Sequence, residues 1–218
     1  ILDGELEHED SAGHRGELRA GDVQWMTAGA GIVHSEMPSR ALRERGGRVH
    51  GFQIWVNLPA RLKMTQPRYQ EIVGDHIPRA ERDGARVRVI AGEALGVKAA
   101  IETHTPIVYH HWSLDAGASA SVPIPAGQRV IVYVFGGAIR IGDREVVDGQ
   151  LAVLDDGDVV SFRAERASEL LLLAGTPLGE PVARYGPFVM NSEHEIHEAI
   201  RDYQSGKMGE ITRTARVG

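Results

Sequence analysis

The residues best suited to chemistry lie in one short run, Gly29-Ala30-Gly31-Ile32-Val33-His34-Ser35-Glu36-Met37-Pro38. His34 and Glu36 are two apart, so on a strand both point to one face, close enough to share a cation. An imidazole and a carboxylate with no thiolate suit iron, manganese, copper, nickel or zinc. Two donors do not complete a centre, because protein metal sites use three or four. A surface ion pair or a hydrogen-bonded polar pair is the other use of such residues. The two glycines ahead of the pair allow a sharp turn that could aim the strand into a barrel mouth.

Four of the ten histidines, His8, His14, His34 and His50, fall within the first 50 residues. His8, in Glu7-His8-Glu9-Asp10, is expected as a solvated or hydrogen-bonded loop residue rather than a ligand or an acid–base group. His14 and His50 are expected either to orient site residues or to hydrogen-bond for structure alone. Gln24 and Met26 share one strand face and Trp25 takes the other; which face lines a pocket is left open. His194 and His197, at i and i+3 on a helix, are expected on a solvated face. His76, His104, His110 and His111 lack a nearby partner motif and are expected to be structural. There is no Gly-rich phosphate loop and no Gly-x-Ser-x-Gly elbow.

The elements that must position these residues are strands. The chain has 218 residues, enough for one large domain or two small ones. Gly is abundant at 26 residues, and short apolar runs bounded by Gly, Asp or Pro recur at 87–90, 107–114, 130–135, 151–154, 159–162 and 170–173. That spacing predicts an all-β sandwich or barrel. Adjacent His110 and His111 on one such strand cannot both point inward. One helix is predicted after the capping box Ser192-x-x-Glu195, with Ile196, Ala199, Ile200 and Tyr203 as its apolar stripe and Gly206 at its end. The stretches 40–47 and 79–84 and the tail from Gly206 are expected as loops, with 79–84 the expected interdomain linker. No apolar run is long enough for a membrane-spanning helix. Against 30 acidic residues there are 24 basic ones, a formal charge of −6, which gives no footprint for nucleic acid or anionic lipid. Zero Cys excludes disulfides, thiolate metal sites and a Cys nucleophile, and fits a reducing compartment such as the cytoplasm.

Two stretches look alike. Residues 1–7 with 21–26 match residues 134–140 with 149–154: a strand–Gly–strand turn, then a strand started by Gly. The second copy is preceded by roughly 50 residues of strand-like sequence and the first by three. The first domain is therefore expected to lack its N-terminal strands, since a sandwich cannot drop that many and keep a covered core.

Four longer motifs carry a family resemblance: GDVQWMTAGAGIVHSEMP (21–38), HGFQIWVNLP (50–59), IAGEALG (90–96) and GEPVARYGPFVMNS (179–192). Over essentially the whole chain the sequence resembles the pirins, bicupin proteins of the cupin superfamily. The resemblance implies two cupin β-sandwich or barrel domains with a C-terminal helix: 1–80 as an incomplete N-terminal cupin, 85–190 as a C-terminal cupin without metal ligands, and 191–218 as helix and tail. It implies an iron in the N-terminal cupin, held by two His of a His-Pro-His-Arg-Gly type motif and by the His and Glu of a His-x-Glu-Met-Pro motif. His34 and Glu36 match the second pair. No His-x-His occurs in the sequence, so the first pair has no counterpart. The implied function is a quercetin 2,3-dioxygenase-type oxygenase acting on a flavonol-like small molecule in the full-length form, with Glu36 also a candidate base. The alternative is an iron-dependent regulatory module that binds a protein partner. A third is a metal-free relic folded around its second cupin.

Overall fold

The structure, a computed structural model, describes residues 1–211, and the expected tail from Gly206 lies partly outside them. The chain forms two compact units: Ile1–Asp75 together with the segment from Gly179, and His76–Leu178. The division falls at 75/76 and 178/179, whereas the sequence suggested 80–85 and 190.

The first unit opens with strands β1 (Glu5–Asp10), β2 (Arg15–Arg19), β3 (Val23–Thr27) and β4 (His34–Pro38), helix α1 (Arg40–Arg45) and strand β5 (Arg68–Ile72). β1 lies between β2 and β4 in one antiparallel sheet, while β3 pairs with β5 in a second. Helix α1 corrects the loop expected at 40–47. Ser39 caps it by accepting from the Leu42 N–H (3.1 Å), and Leu42 is buried.

The second unit contains β6 (Arg79–Arg82), β7 (Ala85–Ala91), β8 (Glu93–Ala94), β9 (Val97–Lys98), β10 (Ile107–Leu114), β11 (Ser119–Pro123), β12 (Arg129–Ile141), β13 (Arg144–Val147), β14 (Leu151–Leu154) and β15 (Val159–Gly175). Its main sheet runs β13-β12-β15-β10-β7-β6, with β11 on β15 and β14 on β12. The stretch 79–84, expected as a linker, is instead the hairpin of β6 and β7. Asp83 and Gly84 both have positive φ there (49° and 77°), the conformation a tight Asp-Gly hairpin requires. The chain then returns to the first unit with β16 (Ala183–Tyr185), β17 (Phe188–Met190) and helix α2 (Glu193–Gln204), as the capping box predicted. Ser192 accepts from the Glu195 N–H, and the Glu195 carboxylate accepts from the Asn191 N–H (3.1 Å). Buried Lys63 donates to Asn57 Oδ1 (2.8 Å) and to the Val189 carbonyl (3.3 Å), tying β17 to the first part of the chain.

The repeat is visible in the backbone. Gly4 and Gly137 share a φ of 80°, and at each an added Cβ would meet a backbone carbonyl at 2.3 or 2.2 Å. After each comes a strand, a turn, a second strand, a Gly and a third strand: β1–β2–β3 in one unit, the end of β12, β13 and β14 in the other. The chain thus carries two copies of one β plan. Their interiors differ. The second unit closes on one apolar cluster that includes Val87, Trp112, Leu114, Val132, Ile139 and Leu172. In the first unit the buried side chains are largely polar or charged, with His8, Asp10, Thr27, Ser39 and Lys63 beside Leu18, Leu42 and Ile196. Burying charge costs free energy unless it is paired, so a polar interior marks where a fold keeps a site.

Candidate metal centre

The antiparallel register of β1 and β4 sets Glu36 opposite His8 and His34 opposite Asp10. Residues directly paired across two strands share a face. Four ionisable side chains therefore line one face of this sheet. On the other sheet, Gln24 is opposite Glu71 and Met26 opposite Tyr69. His8 Nε2 approaches Glu71 Oε1 at 2.8 Å, and Gln24 Nε2 donates to the same oxygen at 3.0 Å. That places Gln24 on the side of β3 that faces Glu71 and His8.

His34 Nδ1 and Glu36 Oε1 lie 3.9 Å apart, as the two-residue spacing predicts for one strand face. Their side chains are 32% and 29% exposed, so both remain open to a ligand from solvent. Gln53 Nε2 donates to the other Glu36 oxygen at 3.4 Å.

His8 is a correction. Expected as a solvated or hydrogen-bonded loop residue, it sits inside strand β1, 3% exposed, against Glu71. The reason is Gly16 on β2, directly opposite: a Cβ there would come within 2.5 Å of His8 Nε2. Without a side chain at 16, the ring lies flat over the neighbouring strand. His14 is oriented by Asp10. Its Nδ1 is 2.9 Å from Asp10 Oδ2, while Oδ1 accepts from the N–H groups of Ala12 and His14. Burial pushes the Asp10 pKa up, but these hydrogen bonds outweigh it and hold the carboxyl below its ordinary value. The Tyr69 hydroxyl is buried among the Asp10, Glu36 and Glu71 carboxylates; desolvation first, then those charges, push its pKa well above that of a free phenol. It stays an O–H donor. Asp10, Gln53, Tyr69 and Glu71 were not singled out from sequence. Only Asp10 left a signal, sharing strand parity with His8.

Other histidines lie elsewhere. His50 joins an isolated bridge to Asp3 and lies 2.8 Å from Arg48 Nη2. His110 is fully buried in the second unit, while His111 points to the opposite face and meets Glu169. His194 is exposed and lies near Glu198 (3.4 Å).

Metal–nitrogen and metal–oxygen bonds are each about 2.1 Å, so one ion reaches donors up to about 4.2 Å apart. The 3.9 Å pair meets that limit. Among the described residues, however, no cluster of three or more His, Asp or Glu side chains is placed to hold an ion. The nearby imidazole of His8 already faces Glu71. Residues 1–211 thus supply two donors, fewer than a metal centre needs.

Two family models match parts of this chain. The family model described as Pirin matches residues 1–56, and that of the Pirin C-terminal cupin domain matches residues 109–209. The pirin of Rattus norvegicus is 44% identical over 212 residues, 94% of this chain and 71% of the rat protein. The chain belongs to the pirin family. A crystal structure of quercetin 2,3-dioxygenase from Acinetobacter baumannii is similar with a TM-score of 0.88 and 39% identity, covering 97% of this chain and 75% of that one. The pirin YhhW of Escherichia coli, solved in complex with nickel(II), has a TM-score of 0.64 and 27% identity over 81% of this chain and 70% of its own. No helix among the described residues is long and apolar enough to cross a membrane.

Proposed function

We propose that this pirin is a metal-dependent oxygenase of the quercetin 2,3-dioxygenase type, with His34 and Glu36 as two of its metal donors and a flavonol-like small molecule as substrate. The observation that carries this is the accessible His34–Glu36 pair on the polar inner face of one cupin, where its sister cupin has a closed apolar core. The likeness to a quercetin 2,3-dioxygenase structure favours this reading over a regulatory module. Iron is the metal expected from the family. A bound redox metal would supply chelation of adjacent flavonol oxygens and electron exchange with O2. Within the chain, His34 and Glu36 would hold the ion, and the Glu36 oxygen that accepts from Gln53 would take the flavonol hydroxyl proton. Burial and the neighbouring carboxylates keep the Tyr69 hydroxyl protonated, so it does not compete as a base.

The test is quercetin consumption under O2 by an iron-loaded form that also carries a His-Pro-His-Arg-Gly type motif, compared with its His34→Ala variant. Turnover is expected in the parent and loss of about a hundredfold or more in the variant. Unchanged turnover would overturn the assignment.

A further inference from the structure

We propose that the second unit binds a small tetrahedral oxyanion, inorganic phosphate or a phosphoryl group on a small molecule, in a groove on the outer face of its sheet. Three strands build the groove. β11 sets Ser119 opposite Arg163 and Ser121 opposite Ser161 on β15, and β12 sets Arg140 opposite Arg163 on its other side. The alternate residues Ala120, Val122, Val160, Phe162 and Ala164 are buried in the core, which turns these five polar side chains outward together. The groove is shallow and open to solvent, with a volume of about 240 Å3.

The donors are convergent and partly uncommitted. The Arg163 guanidinium makes no hydrogen bond or ion pair with any described residue. Arg140 donates through Nε to Glu165 (2.9 Å) and through Nη1 to the Asp143 carbonyl (3.2 Å), which leaves Nη2. The Ser121 and Ser161 hydroxyls share one hydrogen bond at 2.8 Å, so one of the two protons is always available. No carboxylate lines the groove. Arg140 is already paired with Glu165, so it is the charge of Arg163 that an anion in the groove would offset. Guanidinium groups and hydroxyls together match phosphate oxygens in charge and in hydrogen-bond polarity. The arrangement lies wholly within the second unit, where the family metal pair has no counterpart, and it stands apart from the oxygenase reading.

The experiment is titration of the protein with inorganic phosphate, and separately with glycerol phosphate, followed by amide NMR shifts. Saturable shifts centred on 119–121, 140–142 and 161–163 are expected. Arg163→Ala should weaken binding about tenfold, and Arg140→Gln should weaken it in the same direction. Arg163 is exposed, so its loss should leave the fold intact. The tighter of the two ligands identifies the source, free ion or phosphorylated small molecule. As a control, Arg129, ion-paired with Asp156 at 3.8 Å on the same unit, is replaced by Ala. Absence of saturable shifts with either anion, or an Arg129→Ala loss equal to that of Arg163→Ala, would overturn the site.

Discussion

Asp10 shows how the inner face of the first unit is held at the scale of single residues. Its carboxylate accepts two backbone N–H bonds and faces the His14 ring, all inside a tight turn. Because its folded pKa lies below the ordinary value, ionised Asp10 stabilises the fold at pH above the unfolded carboxylate pKa of about 3.9. That stability is lost as pH falls through the lowered folded value. Asp10→Asn should therefore cost about 1–3 kcal/mol at neutral pH and remove this acid-sensitive component. Urea unfolding from neutral pH to about pH 2 checks both; equal midpoints for the two proteins at neutral pH would contradict it. His34 and Glu36 were legible in the sequence because their relation is local: two residues apart on one strand. His8 was not. Its burial depends on Gly16 and Glu71, which reach it only through strand pairing, and Glu7-His8-Glu9-Asp10 reads locally as a solvated acidic turn.

At the scale of elements, the strands and helix α2 follow from alternation and capping, and their placement agrees with expectation. The runs 159–162 and 170–173 proved to be parts of one strand, β15, because the polar stretch between them alternates in step and pairs with β12 across register shifts. Helix α1 was missed because its stabilisation is tertiary: Ser39 caps it while donating to Glu5 on β1 (2.6 Å), and Leu42 packs inward. The hairpin at 79–84 was read as a linker because a polar, charged turn looks the same in either role. For α2 the cap carries the start of the helix. Ser192→Ala removes both the acceptor for the Glu195 N–H and the hydroxyl bonded to its carboxylate (2.8 Å). A loss of about 1 kcal/mol is expected, with faster amide exchange confined to the first turn. Uniform exchange across the helix would contradict it.

At the scale of the whole molecule, one β plan occurs twice with opposite interiors, and acid should separate the two. His110 is fully buried in the second unit, and desolvation lowers its pKa to about 4. As pH falls from the unfolded value of about 6.5 to that folded value, the unfolded chain takes up a proton the folded one refuses, so stability drops. The loss is on the order of 3 kcal/mol. Below the folded pKa it levels off. The second unit should therefore weaken first, reported by Trp112 fluorescence in a variant with Trp25 and Trp55 replaced by Phe, and His110→Leu should flatten the trend. Nickel(II) equilibrium dialysis reads out whether His34 and Glu36 are metal donors. His194 and His197 should be replaced by Ala in every form, since two histidines one turn apart on a helix can chelate by themselves. The parent is expected to hold nickel weakly and exchangeably, and His34→Ala with Glu36→Gln to lose it. Equal nickel retention by that double variant would contradict the assignment.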